Sequence, residues 1–150
     1  MGRVLQGFVF TRAVEPGREK RKLHIKKRDN LLKLSENERA DYLVRYCTDF
    51  EKVWGLIVDE DRWITFVDSE NDHIFPIWPH QDLAEYCCFS EHRQMNAKPH
   101  SIELDIFLKT CIPDMETNTI LFGLFYDNHR KGLAVSAEKL KMLIEEEITI

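Results

Sequence analysis

Three short runs of β-branched and aromatic residues follow one another with almost nothing between them, and they constrain the fold more than any other feature. Val53-Trp54-Gly55-Leu56-Ile57-Val58 ends at Asp59-Glu60-Asp61. Arg62-Trp63-Ile64-Thr65-Phe66-Val67 ends at Asp68-Ser69-Glu70-Asn71-Asp72, and His73-Ile74-Phe75-Pro76-Ile77-Trp78 ends at Pro79. Such runs are too short for helices and favour a pleated, half-buried surface. Connections this short permit only antiparallel neighbours, so the reading is a three-strand meander. Pro76 has no N–H for a ladder, which predicts that the third strand is an edge strand or is bulged there.

Helices flank the meander. Ser35-Glu36-Asn37-Glu38 has the form of a capping box, and Ala40, Leu43, Val44 and Cys47 follow at helical spacing, giving a helix over Ser35 to Cys47. A second helix is expected from about Gln81 to Phe89. A third is expected to start near Ser101 to Glu103, with Leu104, Phe107, Leu108 and Cys111 on one face and Pro113 closing it. Thr119 to Tyr126 reads as a buried strand. Asp127 to Gly132 is a turn, and Leu133-Ala134-Val135 pairs back as a hairpin. Ser136 caps a last helix whose apolar face is Leu140, Leu143, Ile144 and Ile148. The expected fold is α+β: a mostly antiparallel five-stranded sheet, a three-strand meander plus a C-terminal hairpin, with about four helices packed on it.

Charge divides the chain. Residues 1–28 carry nine Lys/Arg against two Glu, and residues 29–150 carry twelve against twenty-four acidic residues, so a net −5 conceals +7 and −12. Residues 1–30 read as a basic N-terminal arm or leader, and 31–150 as a single domain of ordinary size. The acidic body opposes phosphate backbones, which leaves nucleic acid as a partner only through residues 1–28. No run approaches the roughly 18 apolar residues of a membrane helix. Cys47, Cys87, Cys88 and Cys111 lie in apolar helical segments, the pattern of reduced, buried thiols, and a cytoplasmic location is expected.

The residues that could carry chemistry are few. His80 and Cys87 stand two helical turns apart, and Cys88 and His92 are four apart, the spacing of a chelating pair. Cys87 and Cys88 point about 100° apart on a helix, so buried structural thiols are expected and no metal or cofactor. His24, His73, His100 and His129 lie in polar surroundings and read as surface or turn residues. The acidic turns lack the Gly and terminal Glu of a calcium loop and read as solvated tips. Trp54, Trp63 and Trp78 lie on neighbouring strands. They either pack as core or, with His80, form an aromatic binding surface. No dinucleotide fingerprint, P-loop, nucleophile elbow or zinc-protease motif is present.

Val53-Trp54-Gly55-Leu56, Trp63, Pro76-Ile77-Trp78-Pro79-His80 and Ala84-Glu85 together resemble a bacterial family catalogued as domain of unknown function 2750. Ser101-Ile102-Glu103-Leu104-Asp105-Ile106-Phe107-Leu108 with Pro113, Gly123-Leu124-Phe125 and Leu133-Ala134-Val135-Ser136 are similar to its later elements, so the resemblance covers roughly 34–148. It implies no activity and transfers no catalytic residue. The expected function is that of a non-catalytic protein-binding module, with a homodimer allowed by exposed strand edges. The alternatives are a small enzyme or ligand-binding domain using the Trp78/His80/Cys87 region, and nucleic-acid association through the arm.

Overall fold

The computed structural model describes residues 2–5 and 23–149; most of the expected arm, residues 6–22, lies outside the described residues. In chain order the elements are β1 (Gly2–Leu5), α1 (Ile25–Leu32), α2 (Glu36–Phe50), β2 (Lys52–Val58), β3 (Arg62–Val67), β4 (His73–Ile77), α3 (Gln81–Tyr86), α4 (Ser90–Gln94) and β5 (Lys98–Glu103). Then come α5 (Leu104–Ile106), a π-helical segment (Phe107–Cys111), α6 (Ile112–Thr117), β6 (Leu121–Leu124), β7 (Leu133–Val135) and α7 (Ala137–Ile148).

The class is α+β, and the sheet is larger than expected and mixed. Its strands run β5-β2-β3-β4-β6-β7, with β1 pairing on β3 off this path. Every pair is antiparallel except β4–β6, which is parallel, with Pro76 opposite Gly123. The expected five-stranded antiparallel sheet is corrected on both points. Helices fill the long connection between β4 and β6, which is what a parallel return requires. Ser101 to Glu103, expected to start a helix, instead end β5, whose Lys98-Pro99-His100 lacks apolar alternation. As an edge strand it needs less of it, and Pro99 is tolerated there.

The meander is tightly coiled. Trp63 pairs with both Ile57 and Leu5, and Phe66 with both Ile74 and Gly2, so β2 and β4 share one edge of β3 while β1 takes the other. Where β2 and β4 leave β3 they meet: Trp54 and Trp78 exchange two backbone hydrogen bonds, of 2.9 and 2.7 Å. This junction explains Pro76, which sits inside the sheet and not at an edge. The Trp78 N–H points to Trp54, and alternation aims the Pro76 nitrogen the same way. That spot lies between the last β3 partner of β4, at Ile74, and Trp54, so no ladder bond is lost.

The helices differ from expectation in length and number. The Ser35 capping box forms, with Glu38 N–H donating to Ser35 Oγ at 3.2 Å and Ser35 N–H to Glu38 Oε1 at 3.0 Å. The helix it starts runs to Phe50, beyond Cys47, and stops where Glu51 takes a left-handed φ of 57°. The expected helix to Phe89 ends at Tyr86, and α4 is separate from it. α1 begins within the stretch read as arm, and its Leu31 is buried in the core. Pro113 does not close its helix. The turn before it widens, with Ile112 N–H reaching Phe107 O, and this relieves the clash of the Pro ring with the carbonyl four residues back. The helical run therefore continues over 104–117.

Alternation along β4 places Phe75 and Ile77 in the main core with Leu43, Phe107, Phe122, Leu140 and Ile144, under α2 and α7. It turns Ile74 to the other face, where a smaller cluster contains Phe66, Phe89 and Tyr126. Trp63 packs against β2: a Cβ on Gly55 would come 3.0 Å from its ring, so a larger residue there would have to displace a buried tryptophan by a few tenths of an ångström.

Candidate functional site

The carboxyl ends of the parallel pair β4 and β6 bring the polar side chains together. After β4 the chain passes through Trp78 and Pro79 to His80, the cap residue of α3. After β6 it passes through Phe125, which holds a left-handed φ of 55°, to Asp127. A bulky residue at positive φ is strained and persists only where its surroundings hold it. Here they do: Phe125 N–H donates to Ile77 O at 3.0 Å, and Arg39 Nε donates to Phe125 O at 3.0 Å.

Arg39 organises this end of the molecule. The residue is 3% exposed. Nη1 donates to Leu34 O at 2.7 Å and Nη2 to Lys131 O at 2.8 Å, with Asp127 Oδ2 at 3.9 Å. Asp127 Oδ1 accepts from the amides of His129 and Lys131, both at 2.9 Å, and so shapes the β6–β7 loop. Sequence reasoning passed over Arg39. The available signal was its position, beside Ala40 and one turn before Leu43 on the apolar stripe of α2, where an unpaired charge could not stay.

His80 is half-buried. Its Nε2 lies 2.8 Å from Tyr42 Oη, and its ring lies 4.1 Å from that of Tyr46, centre to centre. Burial pushes His80 down to about 4 and Tyr42 up to about 12, so at neutral pH the pair is an uncharged imidazole and a protonated phenol. Tyr42, Tyr46 and Phe50 stand four apart on α2 and stack as a ladder, with ring centres 5.6 and 4.3 Å apart. Phe50, at its end, is 58% exposed. Asp41, Asp49 and Glu51 are exposed around it, with Arg45 between. This ladder was also missed, although its spacing of four was readable.

The other anticipated residues do not join His80 at the surface. Trp54, Trp63 and Trp78 are buried, and Trp78 Nε1 donates to Tyr126 O at 2.9 Å. The tryptophans are core, and the more exposed aromatic rings are those along α2. Cys47, Cys87, Cys88 and Cys111 are buried free thiols, and burial raises all four, Cys87 to about 12. A thiol so placed stays protonated and is a poor nucleophile. His92 is also buried and pushed down to about 4, and its Nε2 lacks a hydrogen-bond partner. Among the described residues the only His, Cys, Asp or Glu set within reach of one ion is Asp68, Glu70 and Asp72, at the exposed β3–β4 turn. There Asp68 Oδ1 accepts from the amides of Glu70 and Asp72, which accounts for the turn itself.

The profile of the family described as "Protein of unknown function (DUF2750)" matches residues 40–144. The chain belongs to this family. The DUF2750 match runs from Ala40, in the second turn of α2, into α7 and takes in the aromatic ladder, His80 and Asp127. No curated protein and no solved structure matches the chain. No helix among the described residues is long and apolar enough to cross a membrane.

Proposed function

We propose that this DUF2750 protein is a non-catalytic binding module that presents the outer face of α2 to a protein partner. The observation that carries the reading is the ladder Tyr42–Tyr46–Phe50 with His80 against it: aromatic rings stacked on one another and open to solvent at the Phe50 end. Stacked rings on a rigid helix lose little entropy on binding, and aromatic anchors dominate interface energetics. Asp41, Asp49 and Glu51 beside them select the partner's chemistry: a segment carrying Lys or Arg next to an apolar anchor. The protonated buried thiols and the neutral, buried His92 fit the same reading, because these groups maintain structure.

A direct test is an NMR titration of the full chain with a short synthetic peptide of alternating lysine and leucine. Saturable shifts centred on Tyr42, Tyr46, Phe50 and His80 are expected, weakened at least tenfold by Tyr46→Ala, since an aromatic anchor is worth on the order of 2 kcal/mol. Shifts spread evenly over the acidic surface, or indifferent to Tyr46→Ala, would overturn the reading.

A further inference from the structure

On the other side of the sheet from the α2 face, an open cleft of about 540 Å³ lies between the end of α3, the start of α4 and the β6–β7 loop. That volume is in the range of small-molecule sites. Its polar lining comes from Arg93, Arg130, His129, Asn128, Ser90 and Tyr86, over the apolar surface of Phe89 and Cys88. Among the described residues no acidic side chain lines it, although residues 29–150 carry twelve more acidic than basic residues. Each of those six side chains offers hydrogen-bond donors, two of them on fixed charges.

Both guanidiniums are held before any ligand arrives. Arg93 spends three donors on the chain behind it: Nε to Cys88 O at 3.2 Å, and Nη2 to Glu85 O and Tyr86 O at 2.8 and 2.9 Å. Among the described residues it makes no ion pair, and its Nη1 is left without a partner. Arg130 comes from the opposite wall. Its backbone takes a left-handed φ of 63°, its guanidinium lies 4.1 Å from the centre of the Phe89 ring, and it pairs with Glu91. The loop that carries it is shaped by Asp127 through the amides of His129 and Lys131. Glu91 neutralises part of Arg130, so among the described residues Arg93 is the cleft cation without an ion pair.

From this arrangement we infer that the cleft binds a small phosphate-bearing molecule, with the phosphate between Arg93 and Arg130. Two fixed guanidiniums from separate walls, an imidazole, hydroxyls and an amide suit the several oxygens of a phosphate better than the two of a carboxylate. The site is independent of the α2 face, and either can fail without the other.

The test is a titration of the isotope-labelled full chain with inorganic phosphate, adenosine monophosphate and acetate in turn, at constant ionic strength, read on backbone amides and arginine Nε–H signals. Phosphate and the nucleotide are expected to shift Arg93, Arg130, Ser90 and the 128–130 amides and to saturate in the low millimolar range, about 1 mM. Arg130→Gln and His129→Ala leave the carbonyl bonds of Arg93 in place, and each should weaken binding about tenfold with an unchanged spectrum elsewhere. Shifts that rise without saturation to about 50 mM, that appear equally at Lys26 and Lys33, or that acetate matches at equal concentration would overturn the assignment.

Discussion

Replacing Arg39 by methionine removes the guanidinium and keeps most of its apolar stem. Three carbonyls, of Leu34, Phe125 and Lys131, then lose a charged donor, and Asp127, 8% exposed, loses its cationic neighbour. A hydrogen bond to a charged group contributes about 1.5–3 kcal/mol net, so three would add up to about 4.5–9 kcal/mol. The Asp127 loop lies near solvent, however, and water can reach part of what is exposed. Breaking a buried pair by deleting one partner costs about 3–5 kcal/mol, and we expect Arg39→Met to fall there. Against a total stability of about 5–15 kcal/mol this is a large fraction. With a urea m-value near 2 kcal/mol/M, the unfolding midpoint should drop by about 2 M, with m unchanged. Arg39→Lys should recover little, because one ammonium cannot serve three divergent carbonyls. Asp127→Asn retains an oxygen for the His129 and Lys131 amides and should cost only about 1–2 kcal/mol. A midpoint shift below about 0.3 M for Arg39→Met would refute the reasoning, since the guanidinium would then hold nothing the chain cannot hold without it.

Three further outcomes follow from the same geometry. Thr65 Oγ1 is buried without a partner, so Thr65→Val should raise stability by about 1 kcal/mol in denaturant titrations; a loss would show that the hydroxyl is bonded. His80 and His92 both titrate below their ordinary 6.5 in the folded chain, each near 4, so the fold favours their neutral forms. Their contribution is complete above pH 6.5 and is lost as pH falls toward 4; His92→Leu, which also deletes the unpartnered Nε2, should flatten that loss in thermal melts across the window. A Cβ on Gly132 would lie 2.7 Å from two atoms of the Tyr126 ring, so Gly132→Ala should destabilise by about 1–3 kcal/mol, and an unchanged midpoint would mean that the ring is free to move.

What could be read from the chain was what local chemistry decides. The Ser35 and Ser136 caps, the three β-rich runs and the stripes of α2 and α7 each speak through neighbours within a few residues. What could not be read depends on distant partners. β5 has a proline and weak alternation, and only the lie of β2 beside it makes it a strand. Pro76 points to an edge strand or a bulge, and β4 is instead an interior strand with a gap in its ladder there. Nothing local revealed that the gap would lie inside the sheet, at the Trp54–Trp78 junction. Trp54, Trp63 and Trp78 could be placed on neighbouring strands, but whether their faces met helix or water is a tertiary matter, and the helices cover them. The Arg39–Asp127 network joins residues 88 apart, and its local trace is one cation on an apolar stripe.

The central claim is that the α2 face is a docking surface. It is tested most directly by placing the photo-crosslinking residue p-benzoylphenylalanine at Phe50, and separately at Met95 as an exposed control, in cells that produce the protein. One discrete adduct is expected from position 50, contacted through a lysine- or arginine-bearing segment, absent from position 95 and lost when Tyr46→Ala and Asp49→Lys are added. The same adducts from both positions, or none from position 50, would contradict it.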